Sequence, residues 1–347
     1  MAPIPNSRVL FNEIPSGYPE PGKTTIYDDS RTIDLETVVV PPGSVLLKTI
    51  VLSNDPYIRT RMRDPQTEGV VPAFEIGQTI EAFGVGLVLQ SSHPDYKHGD
   101  HVLGMMNYEQ YSIVTILPGI HALEVVKNEL NLPWSSYLGA AGGTGFTAWA
   151  GWKRFSKAKK GDVLYVSTGA GPVGSMVIQF AKMDGLKVIA SAGSDEKLAF
   201  MKEVGADVAI NYRTTSLDEI LAKEGPINTY WDHVGGETLD LALKHAAMHA
   251  NFIECGMISC YNNEEAPRLK NLMNIISRRI NIIGFEGYDL VLKYYEDFKK
   301  TVPAMVARGE LKHKEHIYHG LEEAGQSLRD IQTGRNEGKC IILVAES

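Results

Sequence analysis

Cysteine is scarce: Cys255, Cys260 and Cys340 are the only three in 347 residues and form no C-x-x-C pair. The sequence therefore suggests neither a disulfide framework nor a structural zinc site. No uninterrupted apolar run approaches the ~18 residues of a membrane span. The opening "MAPIPNSRVLFNEIP" has neither a basic start followed by an apolar stretch nor a small-residue cleavage site, so a soluble, cytoplasmic protein without membrane partners is expected. Basic residues are not in excess, with 34 Lys and Arg against 42 Asp and Glu. Without a concentrated basic surface, nucleic acid is not an expected partner. Internal repeats and low-complexity segments are absent as well.

The length suits about two domains of roughly 100 to 200 residues each. Residues 1–132 carry many prolines and short β-rich runs such as "SVLLKTIVL" (Ser44 to Leu52), which predicts an irregular, mainly β unit. From Gly161 onward, short apolar strands ("VLYVS", "KVIAS", "VAIN", "TYWDHV", "FIECG") alternate with helical stretches. That alternation predicts a parallel sheet with helices on both faces. After "INIIGF" and a helix through Ala307, the chain closes on the apolar strand "KCIILVA", expected to rejoin the first domain.

The stretch "VSTGAGPVGSMVIQFAK" (Val166 to Lys182) places glycines at 169, 171 and 174 between a strand and a helix. A bare G-x-G-x-x-G match is weak, but this one sits in the right context. Gly169 allows the tight turn, Gly171 lets the backbone approach a pyrophosphate, and Gly174 lets the helix pack on the sheet. Free N–H groups at the helix start face the anion. Thr168, Ala170, Pro172 and Val173 complete the expected dinucleotide loop. Pro172 is tolerated at the first helical position but brings no N–H.

The second strand discriminates between the nicotinamide cofactors. An NAD site places an acid about 20 residues past the motif to hold the ribose 2′-hydroxyl. Here the strand ends in Ala192, Gly193 and Ser194, with nothing anionic at its tip. Lys197, one turn later, is positioned to pair with a 2′-phosphate, or else is a solvated helix lysine. Tyr212 is a second donor, or else a half-buried aromatic. Asp195 and Glu196 lie nearby, where helix N-terminal acids need no cofactor. NADPH is the expected cofactor.

Seven ordered motifs then narrow the family: "SNDPYIR", "GAGPVGS", "AGSDEK", "NYR", "DHVGGETLD", "ECGMISCYN" and "GRNEGK". Essentially end to end, the chain resembles zinc-independent medium-chain reductases of the leukotriene B4 dehydrogenase, prostaglandin reductase and plant alkenal double-bond reductase group. The resemblance implies an α/β chain: a GroES-like β-rich catalytic domain (1–132 and 310–347) interrupted by a Rossmann NADPH-binding domain (133–309). It also implies reduction of a carbon–carbon double bond conjugated to a carbonyl, cofactor in the interdomain cleft, and a homodimer. The G-H-E segment and four-cysteine lobe of zinc-dependent relatives do not occur, so no metal is expected.

By resemblance, Tyr261 in "SCYNN" is the tyrosine beside the nicotinamide, placed to hydrogen-bond the substrate oxygen or deliver a proton. Its phenol, with a reference pKa near 10, stays protonated at neutral pH. Tyr57 in "DPYIR" corresponds to a second, substrate-facing tyrosine, or else packs at the rim. Pro56, Cys255, Phe285, Gly334 and Asn336 fall at cofactor-contacting positions, although Cys255 also suits plain strand packing. His233, at a further cofactor-contacting position, departs from the family's Asn before V-G-G; imidazole can still donate one hydrogen bond there, but it is larger and titrates near neutral pH. Tyr57, Phe74, Tyr261 and Tyr288 are the expected pocket lining. Alcohol oxidation or quinone reduction on the same fold, and non-catalytic NADPH sensing, are the alternatives.

Overall fold

The computed structural model describes residues 2–117, 123–263 and 268–346. The proline-rich start folds as short strands β1 (Ile4–Pro5), β2 (Arg8–Phe11), β3 (Thr25–Asp28) and β4 (Thr32–Ile33). β1 pairs antiparallel with β4, and β2 with β3. The apolar run beginning at Ser44 becomes β5 (Ser44–Asn54), buried along nearly its whole length. A short helix α1 (Ile58–Arg61) follows, then β6 (Glu81–Ser91), β7 (His101–Asn107), β8 (Tyr111–Thr115) and β9 (Glu124–Val125). β5 is interior because it bonds to β6 along one edge and, along the other, to β8 through its first half and to the C-terminal strand through its second, a setting that favours continuous Val, Leu and Ile.

The middle of the chain begins with α2 (Gly143–Phe155) and then alternates: β10 (Val163–Val166), α3 (Pro172–Met183), β11 (Lys187–Ala192), α4 (Asp195–Glu203), β12 (Val208–Asn211), α5 (Leu217–Glu224), β13 (Ile227–Asp232), α6 (Gly236–Lys244) and β14 (Ala246–Glu254). It ends with α7 (Met273–Ser277), β15 (Asn281–Gly284) and α8 (Tyr288–Ala307). The strands lie in the order β12-β11-β10-β13-β14-β15, every pair parallel. This is the doubly wound Rossmann arrangement. The order reverses at β10, and ligands of such sheets bind beyond the carboxyl ends of the strands at that switch point. Tyr165 and Tyr230 stack at 5.0 Å, with Phe252 edge-on to Tyr230 at 5.2 Å, beneath apolar residues of α5 and α6.

The chain then returns through β16 (Glu315–His319), α9 (Ala324–Thr333) and β17 (Lys339–Leu343). β17 pairs antiparallel with β5 and parallel with β16, so the closing apolar run completes the first sheet. The two units divide between Gly139 and Ala140 and between Lys314 and Glu315. No helix among the described residues is long and apolar enough to cross a membrane.

Candidate functional site

Between β10 and α3 the glycines answer to close approach. A Cβ on Gly174 would stand 2.5 Å from the Thr168 carbonyl oxygen, and one on Gly169 would stand 2.7 Å from the Ala190 Cβ. Thr168 itself has φ +53°, a left-handed conformation that is a genuine outlier for a β-branched residue. Its carbonyl accepts from Gly171 N–H at 2.9 Å, while Gly169 N–H donates to Ser191 at 2.9 Å. α3 starts at Pro172 behind Gly171, with no side-chain cap, and Ser175 N–H is the donor that reaches Gly171. The Val173 and Gly174 N–H groups are left at an uncapped helix start, the arrangement that accepts an anion. The loop fits a pyrophosphate, with two donors in place of three because Pro172 has none.

At the tip of β11, a Cβ on Gly193 would lie 2.8 Å from the Tyr212 hydroxyl and 3.2 Å from Arg213 Nε. Glycine there lets both groups close on the strand end. Lys197 is the third residue of α4, half-buried. Asp195, the nearby acid, accepts from the Asn211 side chain at 2.9 Å, which gives its carboxylate a structural partner. The tip thus carries Lys197, Tyr212 and Arg213. Sequence reading missed the guanidinium, although it directly follows Tyr212 in "NYR".

At the carboxyl ends of β13 and β14, Tyr261 caps a short 3-10 helix, Ile258–Cys260. Its hydroxyl would stand 3.3 Å from a Cβ on Gly256 and lies 3.4 Å from the Met257 N–H. Burial raises its pKa above the usual 10, so the phenol remains a donor across the neutral range. Burial likewise pushes the Cys255 thiol up to about 12, keeping it neutral. Phe285 packs against Phe155 at 5.2 Å and Trp231 at 5.8 Å. Tyr288 opens α8 and is exposed.

His233 corrects an expectation. Its Nδ1–H donates to the Ser167 carbonyl oxygen at 2.8 Å, and its Nε2 accepts from Trp231 Nε1 at 3.1 Å. A neutral imidazole has one donor and one acceptor, and both are engaged by the protein. Burial lowers its pKa, so the ring stays neutral and serves as a brace between β10 and β13 rather than a side-chain donor to a cofactor.

Asp232 and Glu254 are register partners on adjacent strands and both are buried. Asp232 accepts from Ser167 Oγ, Tyr230 OH and the N–H groups of Val234 and Gly235 at 2.6–3.0 Å. Among the described residues no donor group reaches the Glu254 carboxyl oxygens, and their hydrogen-bond contact is with the Asp232 carboxylate, which only a protonated Glu254 can make. Burial first, and then the Asp232 charge, push its pKa up to about 9. Folding must therefore put a proton on Glu254 wherever the unfolded carboxyl, near 4.3, is ionised. Stability falls as pH rises from that value to about 9. Glu254→Gln should raise Tm by about 5 °C at pH 8 and by nothing at pH 4. A gain that is the same at both pH values would contradict the buried protonated state.

In the β-rich unit, Pro56 and Tyr57 lie on the turn between β5 and α1, where Tyr57 is partly buried against the core. Phe74 is only 5 % exposed. Its ring lies 5.8 Å from Phe11 and 4.1 Å beneath the Arg61 guanidinium, so it is core packing, contrary to the pocket lining expected. Gly334 is the left-handed residue ending α9, at φ +70°, and the Asn336 amide donates to Gly338 at 2.9 Å within its own turn. Among the described residues, no three His, Cys, Asp or Glu side chains gather as metal ligands.

Two family models match: "N-terminal domain of oxidoreductase" over residues 8–120 and "Zinc-binding dehydrogenase" over 172–307. The chain is 37% identical over 349 residues to an NADP(+)-dependent 2-alkenal reductase of Nicotiana tabacum, covering 99% of this chain and 98% of the relative. An NADPH-dependent curcumin reductase of Escherichia coli is 34% identical, covering 98% and 97%. CurA from Vibrio vulnificus, solved in complex with NADPH, superposes with TM-score 0.88 at 29% identity, covering 98% and 100%.

Proposed function

The chain belongs to the zinc-independent medium-chain dehydrogenases/reductases of the alkenal double-bond reductase group, a GroES-like β-rich unit interrupted by a Rossmann unit, and we propose that it reduces the carbon–carbon double bond of α,β-unsaturated aldehydes and ketones with NADPH. The observation that carries this reading is Tyr261, a half-buried, protonated phenol at the carboxyl end of a Rossmann sheet. Residues 168–174 hold the pyrophosphate, and Lys197, Tyr212 and Arg213 hold the 2′-phosphate. NADPH, when bound, supplies the hydride that reaches the β-carbon of the substrate.

The protein's own part is positioning and electrostatics. Tyr261 donates a hydrogen bond to the substrate oxygen as charge builds on it. Tyr57 is the second substrate-facing phenol and contributes to binding, while Phe285 and Cys255 border the nicotinamide. Loss of NADPH absorbance with a 2-alkenal and an enone, against a quinone and buffer alone, tests the reading. Loss with the quinone only would overturn it.

The protein is a homodimer in this reading. β15 is the terminal strand of its sheet, and Ile282 on it, with Met248, Leu272, Met273 and Ile276, is exposed. An apolar open edge is suited to pairing with its own copy. Light scattering should give twice the 38.2 kDa chain mass, and a mass of one chain would remove the dimer.

A further inference from the structure

Lys339, the lysine that ends "GRNEGK", is 2 % exposed, and lysines are almost never fully buried unless paired. Its Nζ donates to the Asn54 carbonyl oxygen and to Asp55 Oδ1, both at 2.8 Å. Ser53 Oγ donates to the other Asp55 oxygen. Two more buried side chains reach the same turn. The Tyr108 hydroxyl donates to the Ser53 carbonyl at 2.8 Å, and Gln332 Nε2 donates to the Pro56 carbonyl at 3.0 Å.

The carbonyls of residues 53, 54 and 56 are thus held by Tyr108 after β7, Lys339 on β17 and Gln332 on α9. Tyr57 is the next residue. A buried ion pair is weak evidence for stability, since well-packed apolar groups often replace one without loss. What such a pair does provide is a fixed direction, and functional groups on turns need that support from rigid elements.

We propose that Lys339 and Gln332 are positioning residues that fix the Asn54–Pro56 turn and thereby aim the Tyr57 phenol at the substrate. The proposal rests on the reading of Tyr57 as substrate-facing. A residue acting through Tyr57 loses its influence once the Tyr57 hydroxyl is gone, whereas a merely structural residue does not.

The test compares kcat and KM for one 2-alkenal in wild type, Tyr57→Phe, Gln332→Leu, Lys339→Met and the two doubles that combine each with Tyr57→Phe. Each single change should raise KM roughly three- to tenfold with little change in kcat, as loss of uniform binding does. Each double should be no worse than its worse single. Lys339→Met leaves Asp55 without its cation, so Gln332→Leu, which keeps the ion pair, carries the proposal by itself if the lysine variant does not fold. Effects of Gln332→Leu and Tyr57→Phe that multiply, or an unchanged KM in Gln332→Leu, would overturn the positioning role alone. A wild-type KM in Tyr57→Phe would instead remove the substrate-facing reading, and the proposal with it.

Discussion

Tyr261→Phe should lower kcat about 10- to 100-fold with a 2-alkenal and leave NADPH affinity where it was. The change removes one oxygen and keeps the ring, so packing around the 3-10 helix survives. What disappears is a donor whose effect grows as negative charge develops on the substrate oxygen. A single oxyanion donor can contribute about 10²- to 10³-fold, and partial replacement by water or a ribose hydroxyl brings the expected loss below that range. Because burial raises the Tyr261 pKa, the phenol is protonated throughout the neutral range, and its contribution should not titrate between pH 6 and 9. Steady-state kinetics beside NADPH titration check both halves. Wild-type kcat in the variant with every enone the parent reduces would move enolate stabilisation elsewhere.

Lys197→Ala should weaken NADPH at least about tenfold and leave NADH nearly unchanged. A hydrogen bond to a charged group contributes about 1.5–3 kcal/mol, and each 1.4 kcal/mol is tenfold. The 2′-phosphate is the only part of NADPH that NADH lacks. Tyr212 and Arg213 converge on the same strand tip, beside Gly193, so the single variant should keep some preference for NADPH. Adding Arg213→Ala should bring the two cofactors close to parity. Equal losses for both cofactors in Lys197→Ala, measured by fluorescence titration, would make the lysine a support of the fold.

The Rossmann half was legible because each strand and helix announces itself locally. Pro172 starts α3, Ser216 caps α5 by accepting from Glu219 N–H, and apolar runs of strand length separate them. The loop 168–174 was legible for the same reason, since its glycines answer to contacts within a few residues. The rest depended on partners distant in sequence. Phe74 reads as an aromatic fit for a pocket until Arg61 and Phe11 enclose it. His233 reads as a titrating donor until Ser167, 66 residues away, takes its Nδ1 proton. Nothing local in the sequence marks Glu254, which strand register sets beside Asp232. Nothing local in "GRNEGK" shows that Lys339 is buried, because its partner Asn54 lies 285 residues away.

The central claim is that the double bond, and not the carbonyl, is reduced. Turnover of a 2-alkenal with NADPH deuterated at both C4 positions, followed by mass spectrometry and NMR of the product, tests it most directly. The account predicts a saturated aldehyde carrying one deuterium on the β-carbon. An allylic alcohol with deuterium on the former carbonyl carbon would contradict it.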